Sequence, residues 1–212
     1  SCRRRLLTAK SALPKIKSQD LRADFYLQFG NYYHYGLQRF DSALIYYYEA
    51  LEAANRVSSA NKRLEVIERL AYTHYTWAEH ETALKWCTRC IRLADSLKRV
   101  PIQAQCMQLL GTLSAYKNDT TQLIAYRRRA LDLCLTARDS ASLPRAYHYM
   151  ALAFNQAGRQ YLSIAYNDSA WHWANRLNNA RYQREALFWQ GLSLAELQQY
   201  KLALEKLESA LP

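Results

Sequence analysis

Three residue registers recur along the chain with a common spacing of 40 positions. A small residue stands at Ala43, Ala83, Ser163 and Ala203, with Leu123 as the one large member of the series. A second series, Ala50, Cys90, Ala130, Ala170 and Ala210, keeps the same step. A third, Gly30, Ala71, Gly111, Ala151 and Gly191, steps once by 41 and then by 40. Chance periodicity would drift out of phase over five copies. A fixed period of this size implies a stack of similar supersecondary units, each packing on its neighbours.

Each copy reads as two helices. Tyr26, Phe29 and Tyr33 surround Gly30, and Tyr147, Met150 and Phe154 surround Ala151. Spacings of 3 and 4 place these residues on one helical face. The second helix carries two small residues seven apart, as Ala43 and Ala50 with Tyr47 between them, so a neighbouring helix can approach closely. Breakers punctuate the units. Gly36, Gly158 and the run Lys117 to Thr121 fall between the helices of one copy. Ser58-Ser59, Pro101, Asp139-Ser140 with Pro144, and Asn178-Asn179 fall between copies. The copies lie near 19–58, 59–99, 100–139, 140–179 and 180–212, behind a basic, partly helical leader over 1–18. The expected fold class is all-α.

Composition narrows the function classes. Of 212 residues 50% are hydrophobic, with five Gly and four Pro, which excludes disordered and collagen-like chains. No apolar run reaches the roughly 18 residues of a membrane span, and Ser1–Lys10 lacks the apolar core of a signal peptide. The net charge is +11. Residues 1–20 hold six basic groups against Asp20, so nearly half of the excess sits in the leader. The mildly basic repeat body suits acidic partners in general and does not specify nucleic acid. Cys2, Cys87, Cys90, Cys106 and Cys134 form an odd set embedded in apolar patterns, which favours a reducing compartment over a disulfide framework.

The repeat positions resemble the tetratricopeptide repeat (TPR) family: a large residue, then a Gly or Ala, an aromatic, and Ala-x3-aromatic-x2-Ala. The first copy supplies Tyr26, Phe29-Gly30, Tyr33, Ala43, Tyr47 and Ala50; the last supplies Leu187, Gln190-Gly191, Leu194, Ala203, Leu207 and Ala210. The third and fourth copies depart, with Arg127 and Asn167 at the aromatic position and Leu123 and Ser163 at the first Ala. The resemblance covers about 19–212. The family period is about 34, so a period of 40 implies helices longer by up to one turn, similar to arrays in bacterial regulators and Rap/PlcR-type peptide receptors. It implies a right-handed α-α superhelix, a TPR-like solenoid of about five helix–turn–helix repeats. The implied function is a protein- or peptide-binding scaffold, the interaction or sensory segment of a larger regulatory protein. A homodimerisation module of a regulator is the alternative, and nucleic-acid binding a second one. The expected compartment is cytoplasmic, the alternative a periplasmic domain of a membrane-anchored bacterial regulator.

In the family the first helices line a groove, on the face away from the second helix. Carried onto this chain, that register gives Gln28, Asn31, His34 and Tyr35 in the first copy and Glu68, Tyr72, Tyr75 and Thr76 in the second. It gives Gln105, Gln108, Thr112 and Tyr116 in the third, Arg145, His148, Asn155 and Gln156 in the fourth, and Phe188 and Glu196 in the fifth. Amides offer donors and acceptors to an extended peptide, and tyrosines offer contact area with a polar tip. Only Arg145 would suit a carboxylate clamp, and Glu68 opposes it.

Other motifs read as packing. Cys87-Thr88-Arg89-Cys90 spells a CxxC, but both cysteines occupy positions where the second helix wants small residues, and no partner motif completes a metal set. Neither a metal nor a cofactor is expected. The five histidines, His34, His74, His80, His148 and His172, accompany no catalytic spacing, and His74 falls at a core aromatic position, so no enzymatic activity is expected. Arg127-Arg128-Arg129 spreads around its helix and makes no single patch. Leu204, Leu207 and Leu211 on the last helix lead to the expectation that the natural chain continues or packs there on a partner.

Overall fold

A 20-residue module underlies the 40-residue period. The computed structural model describes residues 16–211, and among these the backbone forms ten α-helices and no strand. They are α1 Gln19–Asn31, α2 Phe40–Arg56, α3 Ala60–Thr76, α4 His80–Ser96, α5 Val100–Tyr116, α6 Thr120–Thr136, α7 Leu143–Gln156, α8 Gln160–Arg176, α9 Ala180–Glu196 and α10 Tyr200–Ser209. Seven of them are 17 residues long, about 25 Å each. Three-residue turns join most of them; α1 and α2 are joined through a π-helical turn, and α6 and α7 by six residues that include the 3-10 turn Ser140–Ser142. In every turn one residue takes a left-handed conformation: Gln38, Ser58, Ala78, Lys98, Asn118, Arg138, Gly158, Asn178 and Gln198, at a constant step of 20. This is the left-handed helix cap, and in most of the turns the next amide closes it. Glu79 N–H donates to His74 O (2.8 Å), Asp119 to Ser114 O (3.0 Å), Arg159 to Phe154 O (2.8 Å) and Gln199 to Leu194 O (2.9 Å). Helix starts follow from capping side chains at Ser59, Asp119 and Asn179, which accept from amides three residues on, and from Pro101 and Pro144 in first turns.

The single step of 41 has a local cause. After α1 the backbone runs on through a π-helical turn, Tyr32–Gly36, which takes up one extra residue. The closing bond is correspondingly longer in sequence, from Arg39 N–H to Tyr33 O (2.9 Å). Gly36, read from the sequence as a breaker between the two helices, stands inside this turn, and Gln38 supplies the left-handed cap.

The contacts divide the chain into two units, 1–98 and 99–212. In the first, α1 packs on α2, α2 on α3 and α3 on α4. In the second, α5 to α10 pack sequentially in the same manner. The leader expected over 1–18 lies, except for its last three residues, outside the described residues.

The core follows the three registers. Ala43, Ala83, Leu123, Ser163 and Ala203 are all buried, as are Ala50, Cys90, Ala130 and Ala170. The Gly/Ala register meets a knob from the second helix of the same pair, at Tyr47, Cys87, Arg127, Asn167 and Leu207. A Cβ at Gly30 would come within 2.4 Å of the Tyr47 ring, and one at Gly191 within 2.6 Å of Leu207 Cγ. A Cβ at Gly111 would lie 3.1 Å from Arg127 Cγ. Opposite the shorter knobs Cys87 and Asn167 the register holds Ala71 and Ala151, all four fully buried. Glycine thus appears where the knob is long and alanine where it is short. The third and fourth copies keep the packing geometry although Arg127 and Asn167 replace the aromatic.

Glycine-to-alanine changes inside helices ordinarily stabilise by about 0.5–1 kcal/mol. Gly30→Ala should instead lower stability, by about 1–3 kcal/mol, because Tyr47 has no free space to retreat into. Thermal melting of Gly30→Ala beside Ala71→Gly checks this; a stabilised Gly30→Ala variant would refute the knob-and-glycine fit.

Candidate binding site

The first helices of each unit carry the predicted groove residues, and burial separates them into three kinds. In the first unit Gln28 is exposed on α1, Tyr35 is 53% exposed and Tyr72 is 41% exposed on α3. Glu68 and Tyr75 are half-buried beside them. Asn31 is committed inward, where its Oδ1 accepts from the Tyr47 hydroxyl at 2.9 Å. His34 is buried, its ring packed against Tyr35 (4.3 Å between centroids), Phe40 (5.2 Å) and Tyr72 (5.5 Å).

His34 organises this end of the unit. The Thr73 hydroxyl donates to Arg69 O at 2.8 Å, so its oxygen is left to accept from His34 Nδ1–H at 2.9 Å. Burial, reinforced by the positive charge of Arg69, lowers the His34 pKa to about 4. Arg69 Nη1 in turn donates to the Tyr35 hydroxyl at 3.1 Å. Tyr35 and Tyr72 are therefore presented outward from a neutral, hydrogen-bonded base. His74, also buried, donates from Nδ1 to the Glu79 carboxylate at 2.6 Å and meets the Tyr48 hydroxyl at Nε2, 3.0 Å away.

In the second unit Tyr116 on α5 is 61% exposed and Phe188 on α9 is 45% exposed. Gln105 and Arg145 are half-buried, and Gln108 and His148 are buried. Thr112 accepts from Arg127 Nη2 at 3.3 Å and donates to Gln108 O at 3.2 Å. Asn155 Nδ2 donates to Gln160 Oε1 at 2.9 Å and to Ser193 Oγ at 3.3 Å. Burial also lowers the His148 pKa, against the pull of Glu185, whose carboxylate lies 3.5 Å from Nε2.

Arg127 is the residue that sequence reading missed. It is buried, its Nη1 donates to Tyr149 O at 3.2 Å, and its guanidinium lies 4.7 Å from the Tyr149 ring centroid. Its neighbours Arg128 and Arg129 are exposed, as expected of consecutive helical positions. The signal for it was present: a long knob opposite Gly111.

The remaining motifs are packed. Cys87, Cys90, Cys106 and Cys134 are free and buried, and burial pushes the Cys87 thiol up to about 12 and the Cys134 thiol up to about 11. Among the described residues no cluster of three metal-ligating side chains forms, and no helix is long and apolar enough to cross a membrane.

Neither a family model nor a curated protein matches the chain. Solved structures do match along most of its length. The aspartyl phosphate phosphatase F of Bacillus subtilis superposes over 97% of this chain with a TM-score of 0.80 at 14% identity, and the match covers 63% of that protein. A STAND protein of Pyrococcus horikoshii with a tetratricopeptide repeat sensor matches 92% of this chain, TM-score 0.77 at 16% identity, over 31% of its own length. A plasmid Rap conjugation gene regulator in complex with a Phr peptide matches 88% of this chain, TM-score 0.72 at 18% identity, over 51% of its length. The chain thus spans less than two thirds of each of these proteins. Its fold is all-α, the α-solenoid of TPR proteins built from about five helix pairs.

Two outcomes follow from the buried groups. The folded His34 pKa lies below its ordinary value of 6.5, so the unfolded chain binds the proton more readily. The stability this contributes is complete above about pH 6.5 and is lost as pH falls toward about 4, and His148 acts in the same direction. The melting temperature should drop across that window, and His34→Phe should flatten the drop; equal pH slopes for both proteins would contradict the assignment. In a Cys2→Ser variant the four buried thiols should resist a disulfide reagent at pH 8 and react together on unfolding, which thiol titration in rising denaturant measures.

Proposed function

We propose that this chain is a protein- or peptide-binding scaffold that serves as the interaction or sensory segment of a larger regulatory protein. The observation that carries the reading is the set of aromatic side chains left exposed on the first helices, Tyr35 and Tyr72 in the first unit and Tyr116 and Phe188 in the second. Large aromatic groups dominate binding energy when a partner covers them. Amides such as Gln28 and the half-buried Gln105 stand near them in sequence and can pair with an extended backbone. The peptide complex of the Rap regulator supports this reading by likeness of fold, as does the sensor role printed for the STAND protein's repeats. The chemistry assigned to this chain is recognition, with no catalytic step.

Panning a random peptide library on the full chain should enrich one sequence family with micromolar affinity, about −8 kcal/mol. Tyr35→Ala combined with Tyr72→Ala should weaken the enriched peptide by about tenfold or more while leaving the helical spectrum intact. Failure to enrich any peptide, or unchanged affinity in the double variant, would overturn the reading. A concentration-dependent dimer in light scattering that the same variant abolishes would favour self-association instead.

A further inference from the structure

The first unit holds a second surface of different chemistry. A cleft of about 620 Å³ opens between α2 and α4, over the start of α3. Four cations line it, Arg63 from α3 and Lys85, Arg89 and Arg92 from α4, and no carboxylate does. None of the four forms an ion pair among the described residues. Its apolar lining is aliphatic, the buried Ile67 and the half-buried Leu93.

Spacing selects among anionic ligands. Lys85, Arg89 and Arg92 recur at four and three residues along one face of α4, so their stems stand about 6 and 4.5 Å apart along the axis. An extended peptide repeats its side chains on one edge about every 6.6 Å, close to the longer of these steps. A single phosphate carries at most about two negative charges, too few to neutralise all four cations. Single-stranded nucleic acid binds by stacking bases on open aromatic faces. No aromatic side chain among the described residues lines the cleft, and Trp86 of the same helix is already covered by Arg89 at 5.2 Å and packed by Tyr48 at 6.0 Å.

We propose that this cleft binds an acidic peptide segment of a partner protein, its alternate carboxylates on Arg63, Lys85, Arg89 and Arg92 and an aliphatic side chain on Leu93. Guanidinium groups suit this role because they bind carboxylates through two parallel hydrogen bonds. The site is separate from the exposed aromatic residues of the first helices, and it stands whether or not those bind a ligand. Its affinity should fall with salt, since the pairs form at an open surface.

The test uses the full chain and labelled ten-residue peptides read by fluorescence anisotropy. The probes are a peptide alternating Glu with Leu, one alternating Gln with Leu, and a ten-nucleotide oligothymidylate. The Glu peptide should bind and the Gln peptide should not. Arg89→Glu with Arg92→Glu should weaken the Glu peptide by about tenfold or more. Arg128→Glu with Arg129→Glu, an equal charge change at exposed positions of the second unit, should leave it nearly unaffected. The milder Arg89→Gln with Arg92→Gln pair should lie between, and circular dichroism checks that each variant folds. The proposal is overturned if the Glu peptide does not bind, if both charge reversals weaken it equally, or if oligothymidylate binds as tightly through the same two arginines.

Discussion

The close approach of paired helices is the constraint on which the rest of the structure depends. Each first helix presents a small residue to a knob from the second helix of its pair, and the knob's length sets whether that residue is glycine or alanine. Tyr47 requires Gly30, Leu207 requires Gly191 and Arg127 is matched by Gly111, while Cys87 and Asn167 sit opposite Ala71 and Ala151. Interiors packed to this density respond to a single methyl group. Because the fit is made within each pair, neither a buried arginine nor a buried asparagine breaks the repeat.

Turn geometry follows from the same economy. Eight of nine left-handed caps are occupied by residues other than glycine. A left-handed residue with a Cβ costs of order 1 kcal/mol. It persists here because the helices on either side are already held by packing and because, at Ala78, Asn118, Arg138, Asn178 and Gln198, the following amide bonds a carbonyl five residues back. The π-helical turn after α1 is a further adjustment of this kind, one residue absorbed without disturbing the pairing of α1 with α2. The same turn carries His34 and Tyr35, which pack and bond against Thr73 and Arg69 of α3.

The polar residues of the first helices divide by reach and by neighbour. Asn31, Thr112 and Asn155 spend their hydrogen bonds inside the protein, whereas Tyr35, Tyr72 and Tyr116 extend past the packed layer. The cationic cleft of the first unit adds a face whose charge is unneutralised by the protein itself. On the function proposed above, the exposed aromatics and the basic cleft would hold two features of one partner or two partners in turn.

The sequence by itself determined the period, the all-α class, the paired helices and the buried registers. These are neighbour interactions, and a repeat writes the same neighbour contact into the chain every 40 residues. It also marked the extra residue near Gly30, as a step of 41, without saying where it would go. Tertiary structure alone decided that Gln38 and not Gly36 caps α1, because a left-handed residue is tolerated wherever packing holds both flanks. It decided that His34, Gln108 and His148 lie beneath the surface, and that Arg127 is a buried cation over Tyr149. It also gathered Arg63 with Lys85, Arg89 and Arg92 from two helices. Burial of a polar side chain depends on how far a neighbouring helix about 20 or 40 residues away reaches over it, and that distance is set only when the helices pack.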